Sequence, residues 1–205
     1  MEKKNTLLLT VIAVATLLVA VVGATFAFFT AQKGTGANAN VNVKTSTTDS
    51  LVYNAGTAIS ITATQTNFAE GLGNRTGVNT STVTLIANAD TAASYCYTAD
   101  FIVTANTFEY SAANTGHLPE LKVDITKNGT AVITARDITT TGASTINVPT
   151  VNAGAVLKHP INAAAGATTT DSWETTVTLV NLAVDQQENT GKTFAGTITF
   201  TTVAC

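Results

Sequence analysis

Two cysteines and two histidines are the most chemically versatile residues of this 205-residue chain. Cys96 lies within the run 94–97, and Cys205 is the final residue. In a chain exported from the cytoplasm, a single pair of cysteines predicts a disulfide. Here that bond would close a loop of about 110 residues and stabilise the fold by about 4 to 5 kcal/mol in the chain-entropy model. Two free thiols, or a Cys205 that pairs between subunits, are the alternatives.

Few other side chains in this sequence could take part in catalysis or bind a metal ion. His117 and His159 each stand beside a proline-containing turn, with no His, Cys or carboxylate at metal-ligand spacing. We therefore expect surface or hydrogen-bonded loop histidines. Serine and threonine are abundant, but no Gly-x-Ser-x-Gly motif presents a nucleophile. The sequence predicts that the protein is not an enzyme and uses no cofactor.

Carboxylates offer one further candidate, a calcium site. Four aspartates are expected at the edges of loops, namely Asp49, Asp90, Asp100 and Asp171. None belongs to a dense Asp/Asn/Gly loop of the kind that binds calcium, so the sequence favours no metal site.

The composition excludes two broad classes of protein. Charged residues make up 11% of the chain and hydrophobic residues 45%, with a formal net charge of −3. No basic cluster is available to neutralise phosphates, which argues against a nucleic-acid partner. The apolar content is too high and the net charge too low for intrinsic disorder, so the chain should fold.

The first 27 residues are typical of a secretory signal peptide. Lys3 and Lys4 precede an uncharged, largely apolar run over 6–32, which ends in small residues. This pattern predicts cleavage between Ala27 and Phe28, and a secreted or cell-surface protein that meets the membrane only as a precursor. A cut after Ala24 is an alternative, and a retained membrane helix is another, because the run is long enough to span a bilayer.

The remainder of the chain alternates apolar and polar residues with a period of two, which indicates β-strands. Besides the alternating segment 37–48, strands are predicted at 58–65, 81–89, 93–104, 121–127, 131–136, 144–148, 156–158, 173–180 and 194–203. Asn128-Gly129 favours a type I′ turn between two of them, since both residues tolerate positive φ. About ten short strands predict an all-β fold, an antiparallel β-sandwich of jelly-roll type over 49–205.

Residues 23–30 read Gly-Ala-Thr-Phe-Ala-Phe-Phe-Thr, and this junction resembles the signal-peptide end and mature start of the TasA and camelysin family of Gram-positive bacteria. The likeness continues in order through the segment 37–48, the strand and Asn-rich turn over 83–90 with the next strand 94–104, and the closing strand 194–200. The resemblance implies a jelly-roll subunit that assembles into extracellular fibres of the biofilm matrix. Some members of that family carry a metallopeptidase label, but this sequence has no His-Glu-x-x-His motif.

The leading hypothesis is therefore a structural subunit that forms a homopolymer, with accessory matrix or anchoring proteins as further partners. Residues 28–48 would be an arm that adds as a strand to the next subunit, head to tail. Its apolar face would comprise Phe28, Phe29, Ala39, Val41 and Val43. Lys, Pro and inward charges, which usually protect strand edges against such pairing, are scarce in this sequence.

A second hypothesis from a different class is a monomeric cell-surface binding module, held by an uncleaved N-terminal helix. Its ligand would be a glycan, and its stacking residues would be Trp173, Tyr95, Tyr97 and Tyr110. The simpler interpretation of Trp173 is a core aromatic residue at the start of a strand.

Overall fold

Ten β-strands account for most of the chain that the computed structural model describes, which is residues 48–69, 72–152 and 154–205. In chain order they are β1 (Ser50–Asn54), β2 (Ile59–Thr62), β3 (Arg75–Ile86), β4 (Ala93–Asn106), β5 (Leu121–Lys127), β6 (Thr130–Asp137), β7 (Ser144–Val148), β8 (His159–Ala163), β9 (Thr168–Leu179) and β10 (Thr193–Val203). Two short 3-10 helices, Gln65–Phe68 and Gln187–Asn189, lie in connecting loops. The all-β prediction is confirmed.

The strands form two five-stranded antiparallel sheets. The first has the order β1-β3-β9-β5-β6, and the second has the order β2-β10-β4-β7, with β8 also paired to β4. β8 and β7 follow one another along the same side of β4, at 93–97 and 99–103 respectively. The central strands β3, β9, β4 and β10 are therefore much longer than most of the strands that flank them.

Both sheets contribute one face to a single hydrophobic core. Residues Val83 and Leu85 of β3 and Val177 of β9 are fully buried from the first sheet, as are Phe101 of β4 and Ile198 of β10 from the second. Each such side chain contributes about 1.5–3 kcal/mol when it is removed from water. The period-two alternation thus selects the inner face, as it does at Ile59 and Ile61 in β2.

The β5–β6 hairpin turns at the predicted residues. Lys127 pairs with Thr130, and Asn128 and Gly129 between them have φ values of 51° and 77°. Positive φ at both central positions defines the type I′ turn that suits the twist of an antiparallel hairpin.

The predicted disulfide is present. Cys96 and Cys205 are bonded, with their Cα atoms 5.1 Å apart. Cys96 pairs in the sheet with Val203, so the bond joins β4 to the chain just beyond the end of β10. The intrachain alternative is therefore the one that the structure adopts.

Several strand predictions need correction. Residues 156–158 are not a strand, because β8 begins only at His159, and β1 was not predicted. β3 begins at Arg75 and β9 at Thr168, well before the predicted 81 and 173. Residues 168–172 are polar on both faces and residues 75–80 contain one large apolar side chain, Val78, so neither of these two segments shows apolar alternation. They are held extended because β3 and β9 pair with each other over all twelve of their residues.

Candidate functional site

One side of β10 lacks a strand partner over much of its length. β10 pairs with β4 over 194–203, but on its other side it pairs with β2 only over 193–196. Residues 197–203, called here the open edge, therefore have no second strand partner among the described residues. At about 3.3 Å per residue the open edge is about 23 Å long. Its outward N–H and C=O groups are a template for an added strand.

The inner face of β10 becomes less buried toward the end of the open edge. Along the inner face of β10, Phe194 and Ile198 are buried at 1% and 0% exposure, Phe200 is half-buried, and Thr202 is exposed. Tyr53 of β1, which contacts Phe200, is also only half-buried. The end of the sandwich next to the open edge therefore retains apolar surface that further side chains could cover.

β1 lies across the open edge from the opposite sheet. The rings of Tyr53 and Phe200 stack with centroids 5.9 Å apart, and the Tyr53 and Thr202 hydroxyls are hydrogen-bonded at 2.7 Å. β1 directly follows the predicted arm in the chain. The arm therefore leads into a strand that borders the open edge.

The other sheet edges are shorter or are protected. β6 has irregular register with β5, carries Arg136, and holds Ala135 at a φ of 47°, so its edge is distorted. β8 contains Pro160, which cannot donate a backbone hydrogen bond. On β3, the Asn79 amide donates to the carbonyl oxygens of Ala55 and Thr57, so the loop after β1 covers part of that edge. Bulges and proline are common protections against strand addition, and the open edge of β10 has neither.

The predicted donor arm lies almost wholly outside the described residues. The predicted signal peptide 1–27, its cleavage site at Ala27 and Phe28, and the donor positions Phe29, Ala39, Val41 and Val43 lie outside the described residues. Their role stays a prediction.

The aromatic residues proposed for glycan stacking do not form a surface platform. Trp173 and Tyr97 are 1% and 0% exposed, in the interior of the sandwich. Tyr95 donates a hydrogen bond to Asp49 at 3.4 Å, and Tyr110 donates one to Asp137 at 2.6 Å. Trp173 is thus a core residue, as the simpler interpretation held.

A polar network lies inside the core around these aromatics. The Trp173 indole donates to the Tyr97 hydroxyl at 3.1 Å, and that hydroxyl donates to Asp171 Oδ2 at 2.7 Å. Lys127 Nζ lies 2.8 Å from the same oxygen, and Asn128 donates to Oδ1 at 2.8 Å. Burial, followed by the bond to Asp171, raises the pKa of Tyr97 far above its ordinary value, so its hydroxyl remains a neutral donor. Asp171 is therefore a buried β9 residue and not a loop-edge carboxylate.

His159 is also part of the core, contrary to the prediction of a loop residue. It is 1% exposed in β8, and its ring stacks on Tyr97 with centroids 5.4 Å apart. Its Nε2 lies 3.0 Å from the Val148 carbonyl oxygen, which can only accept, so this nitrogen carries the hydrogen. Burial lowers the pKa of His159 below its ordinary value of 6.5, because a charged imidazolium would lose its hydration.

This histidine should make the fold sensitive to mild acid. Because its pKa is lower in the folded state, the unfolded chain binds more protons below about pH 6.5, and stability falls from there toward the folded pKa. We expect His159→Gln to reduce the change in unfolding free energy between about pH 7.5 and pH 5.5, measured by urea titration. His117→Gln, at an exposed histidine, is the control for loss of an imidazole. An unchanged pH dependence in His159→Gln would contradict this assignment.

Sequence reasoning missed a buried carboxylate at one end of the sandwich. Glu120 is 0% exposed and directly precedes β5. Its Oε1 accepts from the Ser111 N–H at 2.7 Å, the Ser111 hydroxyl at 2.6 Å and Asn114 at 3.0 Å. Its Oε2 accepts from Gln186 at 2.8 Å and Asn189 at 2.7 Å. One carboxylate thus joins the loop before β5 to the loop between β9 and β10.

The hydrogen bonds determine the charge state of Glu120. Burial on its own would raise the pKa of this carboxyl, but the bonds from Ser111, Gln186 and Asn114 outweigh it and lower the pKa below its ordinary value of 4.5. The side chain is therefore an internal anion at neutral pH. No local sequence motif predicts this buried anion, because its hydrogen-bond donors lie 6 to 69 positions away in the chain.

The described part of the chain contains neither a candidate metal cluster nor a candidate membrane-spanning helix. Within it, no group of three or more His, Cys, Asp or Glu side chains is arranged to hold a metal ion. Nor does any helix within 48–69, 72–152 or 154–205 have the length and apolar character required to cross a bilayer.

Comparisons with protein-family models, with curated proteins and with solved structures gave no match to this chain.

Proposed function

We propose that the protein is a structural subunit of an extracellular filament, polymerising head to tail by strand addition. Residues 28–48 of one subunit would be the donor arm, and the open edge of β10 in the next subunit would accept it. The observation that carries this proposal is the open edge itself, a seven-residue strand edge that has no second strand partner among the described residues and lies beside the half-buried Phe200 and Tyr53. The resemblance of residues 23–30 to TasA-type proteins supports export and fibre formation as its context.

The dimensions of donor and acceptor agree. The arm offers about twenty residues, and the open edge requires about seven at about 3.3 Å each. Ala39, Val41 and Val43 occupy alternate positions, so in an extended arm their side chains would lie on one face. That face would be the inner face if the arm added as a strand to the next subunit. Main-chain hydrogen bonds would supply affinity, and the alternate side chains would set the register against Phe200 and Tyr53.

The contact is heterologous, because a donor arm and an acceptor edge are different surfaces. Such contacts do not close unless the rotation between subunits happens to form a ring, so they generate filaments. The order of strands is compatible with the jelly-roll connectivity that the resemblance implies. Successive strands from β1 to β4 belong alternately to the two sheets, and so do β9 and β10. We accordingly propose a jelly-roll subunit, cleaved after Ala27 and secreted to the biofilm matrix or the cell surface.

The arm provides the direct test. Replacing both Val41 and Val43 by Asp should abolish filaments and leave soluble monomers, because two carboxylates would have to lie against apolar side chains beside the open edge. Deleting residues 28–43 should have the same effect. Negative-stain electron microscopy and sedimentation of the secreted chain measure the outcome, and its intact mass reports whether it begins at Phe28.

A matched control uses the other face of the same strand. Asn40→Asp with Asn42→Asp adds the same charge at positions that alternate with the valines, so filaments should persist. If the variant with Asp at both 41 and 43 formed filaments like those of the wild type, the arm mechanism would be wrong. A wild-type chain that stays monomeric at high concentration and retains residues 1–27 would favour the anchored binding module instead.

A further inference from the structure

We infer that the Cys96–Cys205 disulfide is a covalent lock on the acceptor strand, required for a subunit to receive an arm but not for it to donate its own. The inference rests on the proposed function and assigns a redox control to the same site. It follows from where the bond lies relative to the open edge.

The disulfide lies at the end of β10, beyond the last residue that is packed in the core. Beyond residue 196, β4 is the only strand that pairs with β10 among the described residues. Phe200 is anchored by ring contacts with Tyr53, Tyr97 and Trp173. Beyond Phe200, the described contacts other than pairing with β4 are the Tyr53 hydroxyl on Thr202 and a hydrogen bond from Lys158 Nζ to the Ala204 carbonyl oxygen at 2.8 Å. A strand segment that is hydrogen-bonded to a single partner strand opens more readily than one paired on both sides. The bond from Cys205 to Cys96 prevents the last residues of β10 from leaving β4.

An acceptor edge must be in place before the arm arrives. If residues 197–203 separate from β4, the added strand loses the row of backbone groups with which it would pair. The arm itself lies before β1 and contains no cysteine, since the chain has only two. Reduction of the disulfide should therefore disable the acceptor edge of a subunit and leave its arm able to donate.

The bond is reachable for exchange. Cys205 is an exposed residue, whereas Cys96 is 7% exposed, so an external thiol would approach the bond from the Cys205 side. Formation of the bond joins two thiol sulfurs and passes two electrons and two protons to a disulfide oxidant, which becomes a dithiol. An exporting cell would thus obtain an assembly-competent acceptor only in an oxidising compartment.

The experiment combines two half-active chains. The variant Cys96→Ser with Cys205→Ser should keep its arm and lose its acceptor, and the oxidised chain lacking residues 28–43 should keep its acceptor and lose its arm. Neither should polymerise alone. Mixed together, they should form one-to-one heterodimers and nothing longer, measured by size-exclusion chromatography with light scattering.

A second measurement uses the same serine variant as a chain terminator. It should add to the acceptor end of a growing wild-type filament and stop growth there. With one variant chain in ten, mean filament length should fall to about ten subunits, because each head-to-tail contact needs one arm and one acceptor. Filament length is read from negative-stain images.

Hydrogen exchange distinguishes a disulfide that holds only the end of β10 from one that stabilises the whole fold. In the serine variant, amides of 197–203 should exchange much faster, while those of β3 and β9 keep their protection. Faster exchange throughout the chain would overturn the local lock. So would homopolymers of the serine variant, wild-type filament lengths in the mixture, or the absence of heterodimers. A wild-type chain that forms no filaments would instead overturn the proposed function, and the lock with it.

Discussion

Replacing Glu120 by Gln is expected to lower the unfolding free energy by about 3–5 kcal/mol. The substitution keeps the volume but removes the charge and one of the two acceptor oxygens. Hydrogen bonds to a charged group contribute about 1.5–3 kcal/mol each, and at least two buried donors among Ser111, Asn114, Gln186 and Asn189 would lose their acceptor. Urea unfolding followed by Trp173 fluorescence measures the loss.

Glu109→Gln is the matched control, because this carboxylate is exposed and forms only a surface ion pair with Lys192. Its effect should stay below about 1 kcal/mol. The wild type should also lose stability in acid through Glu120. Its pKa is lower in the folded state, so this contribution is complete above about pH 4.5 and is lost as the pH falls through the folded pKa. A Glu120→Gln chain as stable as the control would refute the internal-anion role.

Replacing Asp171 by Asn is expected to cost about 3 kcal/mol. Asp171 accepts from Tyr97 and faces the Lys127 ammonium, which also lies 5.4 Å from the centroid of the Tyr97 ring. Removing one partner of a buried ion pair is strongly destabilising, because the other charge remains without compensation in a poorly hydrated site. The same urea titration measures the effect.

A double-mutant cycle tests whether the cost comes from the pair. Lys127→Met removes the ammonium, and its aliphatic side chain can still pack on Trp173. In the double variant the loss should be at least about 1 kcal/mol smaller than the sum of the two single losses, as expected for residues in contact. Strict additivity would mean that the two charges do not stabilise one another.

Local pattern accounts for much of this fold. Alternation at Ile59 and Ile61 and at Val83 and Leu85 was enough to predict which side chains are buried, because successive side chains of a strand point to opposite faces. Asn128-Gly129 predicted its turn for a similarly local reason, the tolerance of positive φ. The bond between Cys96 and Cys205 was predictable because the chain offers only one pair.

The polar core residues were not predictable in the same way. Asp171 and His159 were expected near loops, since their neighbours are polar or include proline. Both are buried because the partners that satisfy them, Tyr97, Lys127 and the Val148 carbonyl, come from other strands. A buried polar group is stable only with its hydrogen bonds, and those bonds depend on register between distant segments.

Local sequence was sufficient to predict the all-β class, the inner face of most strands, one hairpin and the disulfide, because each depends on neighbouring residues or on a unique pair. Tertiary pairing sets how far β10 extends past β2, and so leaves an open edge at 197–203. It also decided that the donors around Glu120 converge from two loops. Relative strand length and loop convergence arise from pairings between residues far apart in the chain, and no local pattern encodes them.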